Sequence, residues 1–395
     1  MENLIHRLEL SARMLENSHK PYLAQYIGSQ LKTLRRIQEG APYLLCTYYF
    51  PPELLQLFDI EALYIERIVG LTVSTGLYTE SSDALPETIC SYQSAFASLV
   101  ERKILPKPRC LLAMEFPCPD AVRLMEYLQE TYQIPLVRIT RENMRQDLQR
   151  AVDFLHSHYE RSRSESEVSR LFNRANEYKR KIDEMRMRYP GIADSTDMLA
   201  LFTVENDFGG QTAVDVLEGY YACLRQRAAT WRPSGKHRII WMGLIPLYDN
   251  HILEWLENRL PIRFVWEEMW MFDHPNCPSP ELSPGRYVAS VFYAHLEDRL
   301  KGSLFYRPDS RRRRLLDIAE KLHVRMGIDL LQENCSFLPP AVAALRSGFE
   351  KKRIAFRTAA CDVVRRREGQ REKLAGLLED GLRQSMATGF RMRRD

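Results

Sequence analysis

Short apolar runs alternate with longer amphipathic stretches over residues 43–140 of the chain. The runs at 43–49, 110–116 and 135–139 have the length of strands, and the stretches at 86–102 and 119–132 carry apolar residues at helical spacing. Strands that alternate with helices usually pair in parallel. This part of the chain therefore predicts an α/β lobe with an open parallel sheet.

The same alternation returns after residue 233. Strands are predicted at 237–242, 261–265, 328–332 and 353–357, and helices at 249–259, 311–326, 339–351 and from about 366. The whole chain is thus predicted to be an α/β protein with two open parallel-sheet, flavodoxin-like lobes joined by helices, after an N-terminal helical segment.

Four regions follow from this pattern: an N-terminal helical segment (1–40), a first α/β lobe (41–140), a helical connector (141–232) and a second α/β lobe with a C-terminal helix (233–395). Residues 141–189 contain no glycine or proline, which predicts one long or once-broken helix. Four prolines within 274–286 remove backbone donors and fix φ, so we expect a surface loop or lid there.

Composition and charge exclude several classes of protein. The chain has 395 residues, of which 45% are hydrophobic and 27% charged, as expected for folded domains and not for a disordered chain. Its net charge of +4 implies neither nucleic acid nor an anionic membrane as a partner. No apolar run reaches the ~18 residues of a membrane span, and the N-terminus has no leader pattern. We therefore expect a soluble, cytoplasmic protein.

Eight cysteines are too few for a disulfide scaffold of this length. Residues 110–140 and 328–358 repeat one arrangement, namely a strand, a cysteine, a helix opened by proline and a second strand. The repeat places Cys118 and Cys335 at the carboxyl end of a strand, where open α/β sheets bind ligands. The helix N-terminus favours the thiolate, which is the form that ligates metals, whereas position alone also fits a small buried thiol.

A third thiol, Cys90, is predicted at the start of a helix in the first lobe. If the lobes face each other, Cys90, Cys118 and Cys335 converge on one metal cluster. The other cysteines are predicted to be core residues, with Cys46 and Cys361 as candidate extra ligands of a larger cluster. Two runs of basic residues, 311–314 and 391–394, are typical of solvated faces.

The three candidate cysteines, Cys90, Cys118 and Cys335, belong to a series of short sequence motifs along the chain. In chain order they are FPPELL (50–55), CSY (90–92), CPD (118–120), the glycine of RIIWMGLIPL (238–247), WEEMW (266–270), NCS (334–336), CD (361–362) and GQ (369–370). The order resembles that in the D-component family of 2-hydroxyacyl-CoA dehydratases, whose relatives include benzoyl-CoA reductase subunits and double-cubane cluster proteins. The resemblance covers nearly the whole chain from about residue 43.

The resemblance implies that Cys90, Cys118 and Cys335 hold a 4Fe-4S cluster through three thiolates, with one iron open to a substrate oxygen. An ATP-dependent activator with its own iron–sulfur cluster supplies one electron in such systems. The cluster passes this electron to the thioester carbonyl of an acyl-CoA substrate, and the resulting ketyl radical expels the neighbouring hydroxyl before the electron returns. A homologous sister subunit, or a second copy of the chain, is the implied partner.

Two acids, Glu53 and Glu268, are the catalytic candidates that the resemblance suggests. Glu53 opens a helix, and it is either the base that takes a proton from the radical or an acid that interacts with the helix dipole. Glu268 lies near a strand end, and it is either catalytic or a hydrogen-bonding residue.

Departures from the family pattern leave two other functions open. QENCSF (332–337) replaces a His-x-Gly-Cys-Arg-like sequence, and Trp270 stands where cysteine is common. The alternatives are a double-cubane-type reductase of a small molecule and a non-catalytic electron-relay partner of a homologous subunit. The chain has no Walker lysine motif, so the nucleotide that drives the reaction is expected on another protein.

Overall fold

A computed structural model describes residues 1–18, 20–77, 82, 84–194, 197, 201, 203–270, 276–277, 289–302, 308–336 and 339–387. The chain divides into two compact units, each assembled from separate stretches of sequence. Unit 1 comprises 1–182, 203–223 and 273–306, and unit 2 comprises 183–202, 224–272 and 307–395.

The regular elements that the structure describes follow one another in this order: α1 (Glu2–Glu16), α2 (Pro21–Gln38), β1 (Tyr43–Cys46), α3 (Pro52–Leu55), β2 (Glu61–Tyr64), α4 (Ile65–Ser74), α5 (Ser91–Glu101), β3 (Cys110–Met114), α6 (Pro119–Tyr132), β4 (Leu136–Ile139), α7 (Met144–His158), α8 (Glu165–Arg188), α9 (Gln211–Thr230), β5 (His237–Gly243), α10 (Ile252–Arg259), β6 (Ile262–Glu267), α11 (Ala289–Gly302), α12 (Pro308–Lys321), β7 (Met326–Gln332), α13 (Pro339–Lys351), β8 (Ala355–Cys361) and α14 (Gln370–Ala387). Short 3-10 turns at Val204–Asp207 and Glu268–Trp270 complete the series.

The sheet of unit 1 has the order β2-β1-β3-β4, with every neighbouring pair parallel. All residues of β1 and β3 are buried, as expected for central strands covered on both faces. Leu44 pairs with Cys110 across these two strands. The chain order reverses between β1 and β3, so the carboxyl ends of these two strands form the topological switch point of unit 1.

The sheet of unit 2 repeats that order as β6-β5-β7-β8, again all parallel. β5 ends at Gly243, whose φ of +74° is unfavourable for other residues. A Cβ at this position would also overlap with the carbonyl oxygen of Leu330 on β7. Glycine is thus required for β5 to turn away at the switch point of unit 2.

The predicted fold class is confirmed: two parallel four-stranded sheets flanked by helices follow an N-terminal helical segment. Helix α6 has the predicted limits, and the predicted once-broken helix consists of α7 and α8. Strand β2 and helix α11 were not predicted, and the helix expected from residue 86 begins only at Ser91. The predicted loop at 274–286 lies outside the described residues except for 276–277, and half of the helix predicted at 196–205 is also outside them.

Candidate functional site

Two of the three predicted thiols lie at neighbouring helix N-termini in unit 1. Cys90 is the N-cap residue of α5 and Cys118 that of α6, the helix after β3. The backbone N–H of Cys90 donates to Asp120 Oδ2 at 3.4 Å, and Gln93 Nε2 lies 3.9 Å from Cys118 Sγ. Each helix start thus contacts the other: the N-cap of α5 contacts α6, and a residue of α5 contacts the N-cap of α6. Cys90 and Cys118 therefore lie at the same edge of the sheet.

A group of buried polar atoms lies beside this thiol pair. Glu66 Oε2, Tyr92 Oη and Gln93 Oε1 are screened from solvent, and none of them hydrogen-bonds to any described residue. Burial raises the pKa of Glu66 to about 7, although hydrogen bonds to its carboxyl group from the backbone of Glu66 and Tyr48 and from the Gln93 side chain oppose the rise. Buried polar groups without partners are costly in a folded protein. Their presence indicates an edge shaped to receive a polar ligand or water.

Glu53, one of the two predicted acids, is buried at the start of α3, where it forms an ion pair with Arg299 on α11. Arg299 Nη2 donates to Glu53 Oε2 at 2.8 Å, and Nε lies 2.8 Å from Oε1. Burial raises the pKa of Glu53, and the guanidinium opposes that rise. One turn earlier on α11, burial lowers the pKa of His295 to about 4, so this ring is neutral near pH 7.

Glu268, the other predicted acid, is buried just beyond β6 in unit 2. Both carboxylate oxygens accept hydrogen bonds from Arg311, with Nη2 at 2.8 Å from Oε2, and the N–H of Gly243 donates to the same Oε2 at 2.9 Å. These contacts fit the second of the two roles considered for Glu268, that of a hydrogen-bonding residue. Arg311 is 2% exposed, so the prediction that residues 311–314 form a solvated face is wrong for its first member.

Asp329 on β7 completes this buried cluster in unit 2. Its Oδ1 lies 3.7 Å from Arg311 Nη2, and neither carboxylate oxygen hydrogen-bonds to a described residue. Burial raises the pKa of Asp329 to about 7 and outweighs the effect of Arg311, while the charge of Glu268 raises it further. One cation thus serves two buried carboxyl groups in unit 2.

The third predicted thiol, Cys335, follows β7 and belongs to unit 2. It is half-buried, and its N–H donates to the carbonyl of Gln332 at 3.1 Å. The side chain of Gln332 accepts a hydrogen bond from the N–H of Val363 at 2.8 Å, which ties the end of β7 to the segment after β8. Cys335 thus follows the strand of unit 2 that corresponds to β3, as the internal repeat predicted, but α13 begins only at Pro339, whereas α6 begins directly after Cys118.

Within the described part of the chain, no three His, Cys, Asp or Glu side chains form a group that could hold a metal ion. The thiol pair of unit 1 fits a metal-bound group in its chemistry, because both residues cap helices and one is half-buried. The extra-ligand candidates Cys46 and Cys361 are fully buried. Burial raises the pKa of both thiols, that of Cys361 to about 11, which favours their neutral forms.

Sequence reasoning missed Glu66, Arg299 and Asp329. Glu66 is the second residue of α4, which follows β2 directly, so the strand that was not predicted concealed the place of Glu66 at the sheet edge. Two adjacent charged residues, Glu66 and Arg67, interrupt the apolar sequence IERIVG. This pattern could have identified Glu66, since charged residues in apolar runs usually form ion pairs or have a function. Arg67 of that pair binds Asp207, with Nη2 at 2.9 Å from Oδ2.

Comparison with known proteins identifies one family, and the match covers most of the chain. Residues 47–380 match the family model for the 2-hydroxyglutaryl-CoA dehydratase D-component. No curated protein matches the chain significantly. Among the described residues, no helix combines the length and the apolar character needed to cross a bilayer.

Proposed function

Since the chain belongs to the 2-hydroxyglutaryl-CoA dehydratase D-component family, we propose that it is the iron–sulfur subunit of a 2-hydroxyacyl-CoA dehydratase-like enzyme. The observation that carries the proposal is the pair of thiols at the N-termini of α5 and α6, linked through Asp120 and Gln93. Helix N-termini stabilise thiolates and negatively charged groups. This location therefore suits an anionic iron–sulfur group.

Cys90, Cys118 and Cys335 are the proposed protein ligands of a 4Fe-4S cluster. A cluster bound in this way supplies one-electron transfer at a potential that burial and hydrogen bonds to its sulfurs adjust. Gln93 is positioned to orient the Cys118 thiolate, because its amide N–H group is directed at the sulfur atom. Glu66 and Tyr92 provide polar atoms for an oxygen of the substrate at the same edge.

The two predicted acids receive different roles in this proposal. Glu53 is the proposed proton acceptor, because burial raises the pKa of its carboxyl group, which strengthens it as a base, while the ion pair with Arg299 fixes its position. The catalytic role predicted for Glu268 remains a prediction. The hydrogen bonds of Glu268 to Arg311 and Gly243 favour a role in positioning the β5 turn.

The partners are also part of the proposal. The electron would come from an ATP-dependent activator with its own iron–sulfur cluster, and an acyl-CoA is the proposed substrate. A homologous sister subunit, or a second copy of the chain, would complete the enzyme. The support for these partners is the family membership.

Iron and acid-labile sulfide analysis after anaerobic purification tests the proposal. We expect about four of each per chain, and substantial loss in Cys90→Ala, Cys118→Ala and Cys335→Ala. Cys223→Ala is the matched control, because Cys223 is also a half-buried cysteine that forms no disulfide, and it lies on α9. About eight irons per chain would support the double-cubane alternative instead. No iron, or full iron in all three variants, would contradict the proposal.

A further inference from the structure

A cavity of about 470 Å³ opens at the amino-terminal edge of the unit 1 sheet, where β3 and β4 begin and α7 ends. Its volume lies in the range of small-molecule sites. The lining residues are Lys107, Pro108, Arg109, Ile134, Pro135, Phe154, His158 and Tyr159. Because β3 runs from this edge to the opposite one, the cavity is separate from the thiol pair, and its function does not depend on the proposed activity.

The charges that line the cavity have one sign. Lys107 and Arg109 are exposed and form no ion pair with any described residue, and no Asp or Glu lines the cavity. The two residues flank the buried Pro108 directly before β3, and both line the cavity. The N–H of Arg109 donates to the carbonyl of Tyr43 at 2.8 Å, which fixes this segment to β1. The segment thus presents two unpaired cations from a fixed backbone.

Flat rings form another part of the lining. The rings of Phe154 and His158 stack one turn apart on α7, with centroids 4.3 Å apart and planes 25° apart. His158 Nδ1 donates to the carbonyl of Phe154 at 2.8 Å, so Nε2 carries no proton in the neutral ring and makes no hydrogen bond to a described residue. Tyr159 follows directly, and burial raises its pKa to about 12, which keeps its hydroxyl a neutral donor.

We propose that this cavity binds a nucleoside phosphate. Lys107 and Arg109 take the phosphate groups, and the Phe154–His158 stack contacts the base. Unpaired cations select anions, and planar side chains add stacking to a heteroaromatic ring. The cavity has no phosphate-binding loop motif, so the proposal concerns binding of the nucleotide and not its hydrolysis.

Fluorescence anisotropy of N-methylanthraniloyl-ADP with the full chain tests the proposal. We expect saturable binding that weakens as salt screens the cations. The double variant Lys107→Glu/Arg109→Glu should bind at least about tenfold more weakly, since each lost phosphate contact is charge-assisted. Its control is Lys32→Glu/Arg145→Glu, which changes the net charge equally at exposed positions of α2 and α7 outside the cavity.

Competition separates the two parts of the proposed ligand. ADP and coenzyme A, which both carry an adenine nucleotide, should displace the probe, and the tighter competitor identifies the source of that nucleotide. Adenosine and inorganic pyrophosphate should each compete more weakly than ADP. Phe154→Leu, which keeps an apolar side chain and removes the ring, should weaken ADP binding but not pyrophosphate binding. The proposal is overturned by absence of saturable binding at about 1 mM probe, equal loss in both double variants, or equal competition by pyrophosphate and ADP.

Discussion

The two sheets share one strand order, but the carboxyl edges of unit 1 and unit 2 treat their buried polar groups differently. In unit 1, oxygen atoms of Glu66, Tyr92 and Gln93 lack partners within the described residues and lie beside two helix-capping thiols. In unit 2, Glu268 is bonded to Arg311 and to the backbone of Gly243. The carboxylate oxygens of Asp329 make no hydrogen bond to a described residue, but Oδ1 lies 3.7 Å from the same guanidinium. Equal topology therefore does not imply equal function. Unbonded buried oxygens occur in both units, and what differs is the neighbouring group: two thiols in unit 1 and the Arg311 guanidinium in unit 2.

The largest effect is expected from breaking the charge cluster of unit 2. Arg311→Leu leaves Glu268 and Asp329 buried without their shared cation, and should lower the free energy of unfolding by about 3–5 kcal/mol. Urea denaturation measures this loss. Arg312→Leu, on the same helix but with its exposed side chain paired to Asp309, should change it by only about 0.5 kcal/mol. Equal losses in the two variants would contradict the structural role assigned to Arg311.

A pH-dependent effect is expected from Glu66 in unit 1. Because its pKa is raised to about 7 in the folded chain, the protonated form contributes stability at low pH that is lost as pH rises through about 7. Glu66→Gln has no ionisable group at this position, so its stability should not fall in this way as the pH rises. Relative to wild type, it should therefore gain about 3 kcal/mol of unfolding free energy between about pH 4 and pH 8.

Urea denaturation at a series of pH values gives that difference. The exposed Glu142 provides the control variant Glu142→Gln, which should follow the wild-type pH profile. Parallel profiles of Glu66→Gln and wild type would show that Glu66 titrates normally. Its neighbours would then be ordinary core residues.

The smallest effect is expected from Tyr92, whose hydroxyl is buried without a partner among the described residues. Tyr92→Phe removes a hydroxyl that makes no hydrogen bond to a described residue, so stability should change by about 0–0.5 kcal/mol, in the stabilising direction. Tyr43→Phe is the comparison, because the Tyr43 hydroxyl donates to the carbonyl of Pro106 at 2.5 Å. That variant should lose about 1 kcal/mol, as measured by thermal or urea unfolding. A clear loss in Tyr92→Phe would reveal a bonded hydroxyl.

Much of the fold was predictable because its strongest elements are specified locally. The apolar run of β3 and the proline that opens α6 allowed both elements to be predicted. The predicted limits of each lie within about two residues of those in the structure. β2 was missed because it has four residues and begins with Glu61, which interrupts the apolar pattern. α11 was missed because its sequence mixes apolar and charged residues without a clear cap.

The site was predictable only in part, for a related reason. The repeat placed Cys118 and Cys335 at equivalent strand ends because strand, cysteine and proline are close in sequence. The partner of Glu53, by contrast, is Arg299, which is 246 residues away along the chain. Such a contact depends on tertiary packing, so no local sequence pattern could identify it. The rise in the pKa of Glu53, which burial causes and Arg299 opposes, could not be predicted for the same reason.

Alkylation of the cysteines before and after anaerobic cluster reconstitution, read by mass spectrometry, tests the central claim most directly. Cys118, Cys335 and Cys223 are all half-buried cysteines that form no disulfide, so each should react with iodoacetamide in the cluster-free chain. We predict that Cys118 and Cys335 become protected when iron and sulfide are bound, while Cys223 continues to react. Unchanged reactivity of Cys118 and Cys335 in iron-loaded protein would contradict their assignment as cluster ligands.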